Sequence, residues 1–125
     1  MIVAVWIVSA LLAVVNLGAG IFKIVTPKAK LPRPQLAWVD DYSQRAVTAI
    51  GVLEVLAAIG LILPPLTGIA PILAALAATG LVLLQIGALV VHVRRGERQM
   101  LPINVVLILL AAFVALARFG AFGTL

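Results

Sequence analysis

A chain of 125 residues that is 65% hydrophobic and only 10% charged has too few charges to cover a water-facing shell, since soluble domains average about 25% charged residues. With a mean hydropathy of +1.29, its expected solvent is lipid, and the net charge of +5 belongs to loops at a membrane surface rather than to a nucleic-acid interface. The lack of cysteine excludes disulfides, thiol relays and thiolate metal sites, and the single histidine excludes a haem held by two histidines of this chain.

Four apolar runs each reach the ~17–25 residues that a spanning helix needs. The first, 2–25, is broken only by Asn16 and Lys23. No positive region precedes it, it exceeds the usual signal-peptide core, and its charge follows it, so it reads as an anchor. The connection 26–45 carries Lys28, Lys30, Arg33 and Arg45. Pro27, Pro32 and Pro34 are expected to stop the first helix and keep this connection extended. Trp38 and Tyr42 fall at interfacial depth, as headgroup anchors or as a lid, and Asp40 or Asp41 is a candidate cap for the next helix. The second run, 46–63, contains Glu54, and "PPLTG" after it reads as a tight turn without charge. The third, 68–93, contains Gln85 and His92. A short basic connection, 94–100, leads to the fourth, 101–119, with Asn104 near its start and Arg118 at its end. The runs lack period-2 alternation and are rich in Ala and Leu, so strands are excluded. The predicted fold is an all-α transmembrane four-helix bundle forming one domain. Eight of the nine Lys and Arg residues lie in or beside the connections 26–45 and 94–100. The positive-inside rule then places both in the cytoplasm and both termini outside.

Aligned by depth at ~1.5 Å per residue, the polar residues of the runs converge. Glu54 lies roughly 12 Å in from the start of its helix, and Asn16 and Gln85 fall at about that level. Lys23, His92 and Asn104 lie between that level and the basic surface, whereas Arg118 is at the opposite end. Asn16 and Lys23 are seven residues apart, as are Gln85 and His92, so each pair shares a helix face. The same faces carry small residues: Ser9, Ala13 and Gly20 in the first helix, Gly51 and Ala58 in the second, Ala74, Ala78 and Ala88 in the third, Ala111 and Ala115 in the fourth. Small residues let membrane helices approach and polar ones bond across the contact. Four such stripes turned inward enclose a polar pocket in the inner half of the bundle. A charge at this depth costs at least ~2.5–3.5 kcal/mol on insertion scales. Glu54 therefore either pairs with Lys23 or stays protonated and bonds to Asn16 or Gln85. The cluster of Asn16, Lys23, Glu54, Gln85, His92 and Asn104 has three readings: glue that fixes helix order, a site for a quinone headgroup or lipid, or a proton or ion path.

The motifs "GIFKIV" around Lys23, "IGVLEVLAAIGLILP" from Ile50 to Pro64, "VVHVRRGE" from Val90 to Glu97 and "PINVVLILLAAFVALARFG" with Arg118 carry a resemblance that spans nearly the whole chain. In them the chain resembles the DoxX-like family of small bacterial integral membrane proteins, and the Gly–x–x–Glu and Gly–Leu–x–x–Pro block is its most specific part. The resemblance implies a four-helix fold in the bacterial cytoplasmic membrane. Some relatives are subunits of quinone-linked oxidase or thiosulfate-oxidising complexes and others accompany redox-stress systems. The expected function is that of an accessory or scaffold subunit with no catalysis, metal or cofactor of its own, associating with itself or a larger membrane complex. A quinone- or lipid-binding subunit of an oxidoreductase is the alternative. A small transporter is the second alternative, although no discontinuous helix or inverted repeat supports it.

Overall fold

The computed structural model describes residues 1–33 and 36–123; Pro34 and the part expected of it lie outside the described residues. Among the described residues the regular elements are four helices, α1 (Ile2–Val25), α2 (Gln44–Thr67), α3 (Ile72–Arg94) and α4 (Leu101–Arg118), with short 3-10 turns at Lys28–Lys30, Ala37–Asp41 and Arg98–Met100. All four helices are long and apolar enough to cross a bilayer. α1 packs on α2, α2 on α3, α3 on α4, and α4 back on α1, which closes an antiparallel ring.

Leucine gains nothing by leaving lipid for the side of another helix, so association inside a membrane rests on close packing and interhelical bonds. The burial pattern follows that rule. Leu11, Val14, Leu83 and Leu109 face outward. The buried positions are largely small or polar: Ser9, Asn16, Gly20 and Lys23 on α1, Gly51, Glu54 and Ala58 on α2, Ala74, Ala78 and His92 on α3, Asn104, Ala111 and Ala115 on α4. Leu12, Leu61, Leu81 and Val114 join the alanines in a dry core. By sequence position along each helix, this core fills the middle of the bundle and the half away from the two basic connections. The polar residues occupy the other half.

The second helix is longer than the sequence indicates, and the difference moves two expected features. Pro64 and Pro65 lie inside α2, and the turn begins only at Gly68, whose φ of 74° is the left-handed conformation that glycine adopts without strain. Proline within a helix frees carbonyls one turn earlier, but membrane helices tolerate this where neighbours re-satisfy the backbone. The carbonyls freed here are those of Gly60 and Leu61; beyond the prolines Thr67 Oγ1 donates to Leu63 O at 2.8 Å and the Gly68 N–H to Pro64 O at 2.9 Å, so the last turn stays closed. The turn is therefore centred on residues 68–71 rather than on the prolines, and α3 starts at Ile72 rather than at 68. At the other end α2 is capped by neither aspartate: Ser43 Oγ accepts from the Ala46 N–H at 3.1 Å.

The first connection is not extended either. Leu31, Val39 and Val47 bury one another beneath Leu36, Trp38 and Tyr42, forming a small second core. Lys28 Nζ donates to Tyr42 O at 2.6 Å and the Lys28 N–H to Gln44 Oε1 at 2.9 Å, which draws the connection back onto the start of α2. The result is a folded cap at the basic end of the bundle.

Candidate functional site

The site begins at a helix crossing. On Gly20 of α1 a Cβ would stand 2.6 Å from Gly51 O, and on Gly51 of α2 it would stand 2.7 Å from Gly20 O. The two backbones thus touch where neither residue has a side chain. Three residues beyond each glycine comes a charge. Because the helices are antiparallel, Lys23 Cβ packs over Gly51 and Glu54 Cβ over Gly20, each 3.1 Å from the Cβ that those glycines lack. This reciprocal fit brings Lys23 Nζ to Glu54 Oε1 at 2.6 Å. The residues are 8% and 5% exposed, so each charge has exchanged water for the other and the pair is a buried one. Of the partners open to Glu54 in the sequence, the geometry selects Lys23. Asn16 instead donates to its own helix, Nδ2 to Leu12 O at 2.8 Å, and Gln85 accepts from Asn104 Nδ2 at 3.0 Å, bridging α3 and α4.

His92 acquires a partner that its span does not contain. Its Nδ1 lies 2.9 Å from Glu97 Oε1. Gly96, at φ 71°, reverses the chain after α3, and the Glu97 N–H reaches back to His92 O at 2.9 Å. That six-to-one closure is how a helix ends on a left-handed glycine, and it folds Glu97 over the last turn. The contact with Glu97 occupies Nδ1 and leaves Nε2 as the ring nitrogen for other partners. The "RRGE" stretch held the signal for this: a glycine just past a helix predicts the reversal, and the reversal predicts which acid meets the histidine.

All six residues of the expected cluster, Asn16, Lys23, Glu54, Gln85, His92 and Asn104, line one cavity of about 400 Å³. Helices α1 to α4 all contribute to its wall, and Leu36, Trp38, Tyr42 and Met100 from the connections cover its basic end. Trp38 and Tyr42 meet edge to face at 5.8 Å. Apolar lining separates the polar groups, with Ala19, Ile50, Leu84 and Ala88 among them. Val15, Leu83 and Ile103 belong to the wall and are also among the exposed apolar residues, so the wall runs out to the lipid-facing surface. Inside, Asn104 Oδ1 is buried with no donor. Among the described residues, no three His, Cys, Asp or Glu side chains gather as a metal site requires.

The cap is tied across the cavity mouth. Arg95, just past α3, pairs with Asp41 at 2.5 Å and lies 3.3 Å from Glu97 Oε1. Its hydrogen bond to Asp41 raises its pKa further above an already high value, so this cation is permanent. Within the cap Arg33 Nη2 donates to Asp40 Oδ1 at 2.6 Å, and that bond holds the Asp40 carboxyl below the ordinary carboxylate range. The sequence suggested helix-capping for these two aspartates; their work is to join the two basic connections and to brace the first.

A four-span helix bundle, solid in one half and hollow and polar in the other, defines a small multi-pass integral membrane protein. The family model described as the DoxX-like family matches residues 7–114, and the chain belongs to that family. No curated protein and no solved structure matches the chain.

Proposed function

We propose that this protein is a non-catalytic membrane subunit that holds the polar head of a small amphiphile in the cavity at its basic end. The observation that carries this reading is the convergence of six polar side chains from four helices on about 400 Å³ of space, within the ~300–1,000 Å³ of small-molecule pockets. Glue alone needs no space. Polar residues that merely fix helix order bond to each other and close up, whereas here an amide oxygen is left without a donor. The mixed lining suits a molecule with a small polar head and an apolar body. A wall that reaches the lipid-facing surface gives such a molecule a route from the bilayer. A non-catalytic role is supported by the pairing itself: Lys23 and Glu54 neutralise each other, which leaves neither free as an acid or base.

A quinone headgroup is the specific form of the second reading. Its two carbonyl oxygens need donors on opposite sides, and the cavity is lined by donor-bearing side chains from different helices, Lys23 on α1 and Gln85 and His92 on α3. In either form the basic connections lie in the cytoplasm of a bacterial cell with both termini outside. The lipid-facing leucines and valines supply the surface for self-association or for docking on a larger complex.

Native mass spectrometry of protein released in mild detergent tests the proposal. One retained amphiphile per chain is expected, exchangeable for an added short-chain quinone if the second reading holds. No retained molecule, together with an unchanged melting temperature on adding quinone or lipid, would remove both.

A further inference from the structure

At the opposite end of the bundle lies Arg118, the one cation that neither adjoins nor belongs to the basic connections. The chain has four acidic residues, and each already serves another cation: Asp40 serves Arg33, Asp41 serves Arg95, Glu54 serves Lys23 and Glu97 serves His92 and Arg95. Among the described residues none of them is left for Arg118. Its guanidinium stands 5.0 Å from the centroid of the Trp6 ring. Its Nε and Nη2 are buried and bond to nothing among the described residues. The side chain also lines a cavity of about 390 Å³ with Pro71, Ile72, Ala117, Gly120 and Gly123. An aromatic face steadies a cation but does not neutralise it.

We propose that Arg118 is an anion site that takes the phosphate group of a membrane phospholipid. Depth supports that chemistry. α4 has 18 residues, about 27 Å at 1.5 Å per residue, so with Leu101 at one membrane surface Arg118 reaches the other surface at the level of the phosphates. Trp6 sits where interfacial tryptophans sit, and its ring lies 5.0 Å from the guanidinium of a side chain that also lines the cavity. Guanidinium–phosphate bonds are charge-assisted and directional. The cavity is bordered by the first residues of α3, whose positive helix end adds to the attraction. The glycines at its rim leave room for a headgroup next to the backbone. An anionic phospholipid is preferred over a zwitterionic one, because the site's lining among the described residues holds no acid to meet a choline or ethanolamine.

The test uses the intact protein in nanodiscs of phosphatidylcholine containing a minor fraction of phosphatidylglycerol, followed by counting of the lipids retained on gentle delipidation. Wild type is expected to enrich phosphatidylglycerol. Arg118→Gln should cut that enrichment about tenfold, the loss associated with one hydrogen bond to a charged group, and Arg118→Lys should retain part of it. Should Arg118→Gln fail to fold, Arg118→Lys decides: its phosphatidylglycerol enrichment falls below that of wild type if the site exists and equals it if the retained lipid sits elsewhere. Inorganic phosphate in phosphatidylcholine discs separates the two sources of the group. Stabilisation by the free anion alone would mean that the site serves a soluble phosphate, and would overturn the lipid assignment. Equal headgroup composition on wild type and Arg118→Gln, or no response of wild type to either phosphate source, would overturn the site altogether. Neither result bears on the cavity at the basic end.

Discussion

Gly20 and Gly51 sit carbonyl against Cα at the crossing of α1 and α2, with 2.6 and 2.7 Å between each carbonyl oxygen and the Cβ its neighbour lacks. The contact fixes the height of the crossing, and the height fixes which side chains meet one turn away. Alanine is the better helix former by about 1 kcal/mol, so a Gly→Ala change in an open helix position should stabilise. At Gly20 or Gly51 the added methyl meets backbone, which cannot rotate away. We expect Gly20→Ala and Gly51→Ala each to destabilise by roughly 1–3 kcal/mol, the usual cost of overpacking. Gly18→Ala, whose methyl would meet nothing within 4 Å, should be neutral or stabilising. Thermal unfolding in one detergent would show the opposite signs; a common sign for Gly18 and Gly20 would mean that the helices do not touch there.

The buried pair above that crossing gives a second expectation. Removing one member of a buried ion pair strands the other charge and costs about 3–5 kcal/mol, whereas replacing both with apolar groups of similar volume is close to neutral. Glu54→Gln and Lys23→Met should each reduce folded yield strongly, and Lys23→Met combined with Glu54→Leu should recover most of it. Arg98→Ala, on the exposed surface and in no ion pair among the described residues, should leave yield unchanged. Yield and melting temperature of the four variants check this. A double variant as poor as the worse single one would show that the two charges act separately.

Much of this site was legible in the sequence because lipid makes polar residues rare and therefore informative. Asn16, Lys23, Glu54, Gln85, His92 and Asn104 stood out against runs of Leu, Ile and Val, and depth counting put them in one half of the bundle, where the structure has them line one cavity. Pairing was less legible. Span-by-span reading takes acids from within the spans and so offers His92 no partner, although Gly96 announces the turn that brings Glu97 back from beyond the end of α3. The prolines misled for a related reason. Pro64 and Pro65 read as a stop because proline breaks helices in water, yet at the last turn of α2 the backbone is still closed by Thr67 and Gly68. The cap is a tertiary object: Leu31, Val39 and Val47 form a core only once the connection has folded onto α2, and three scattered apolar residues do not foretell that.

The cap should loosen in acid. Asp40 has its carboxyl held below the ordinary range by its hydrogen bond from Arg33, so its folded-state pKa is depressed relative to the unfolded chain. Its contribution is present in full above the ordinary carboxylate range and is lost as pH falls through the depressed value. Hydrogen exchange of residues 36–42 should therefore be steady from neutral pH down to the ordinary range, after correction for the intrinsic rate, and rise below it. Asp40→Asn should exchange at the faster level throughout. Because the groups are exposed, global stability should scarcely change. A profile identical in wild type and variant would show that the Arg33 bond does not brace the cap.

The hollow half and the solid half should respond in opposite directions to the same substitution. Ala78 belongs to the dry core with Leu12, Leu61 and Val114, and Ala88, ten residues along the same helix, lines the cavity. Both are alanines within α3, so their helix propensity is the same, while Ala78 is fully buried and Ala88 half-buried against the cavity. At Ala78 a leucine has no space and must displace packed neighbours, at a cost of roughly 1–3 kcal/mol. At Ala88 the leucine enters space that an amphiphile would otherwise fill, and filling a cavity commonly gains about 0.5–2 kcal/mol. Ala88→Leu should thus hold or raise the melting temperature of delipidated protein while lowering the retained amphiphile about tenfold, the equivalent of ~1.4 kcal/mol of binding. Ala78→Leu should lower the melting temperature and leave the retained amphiphile per folded chain unchanged. Equal destabilisation by both would mean that the inner half is packed as tightly as the outer, and a bundle of that kind has no room to bind anything.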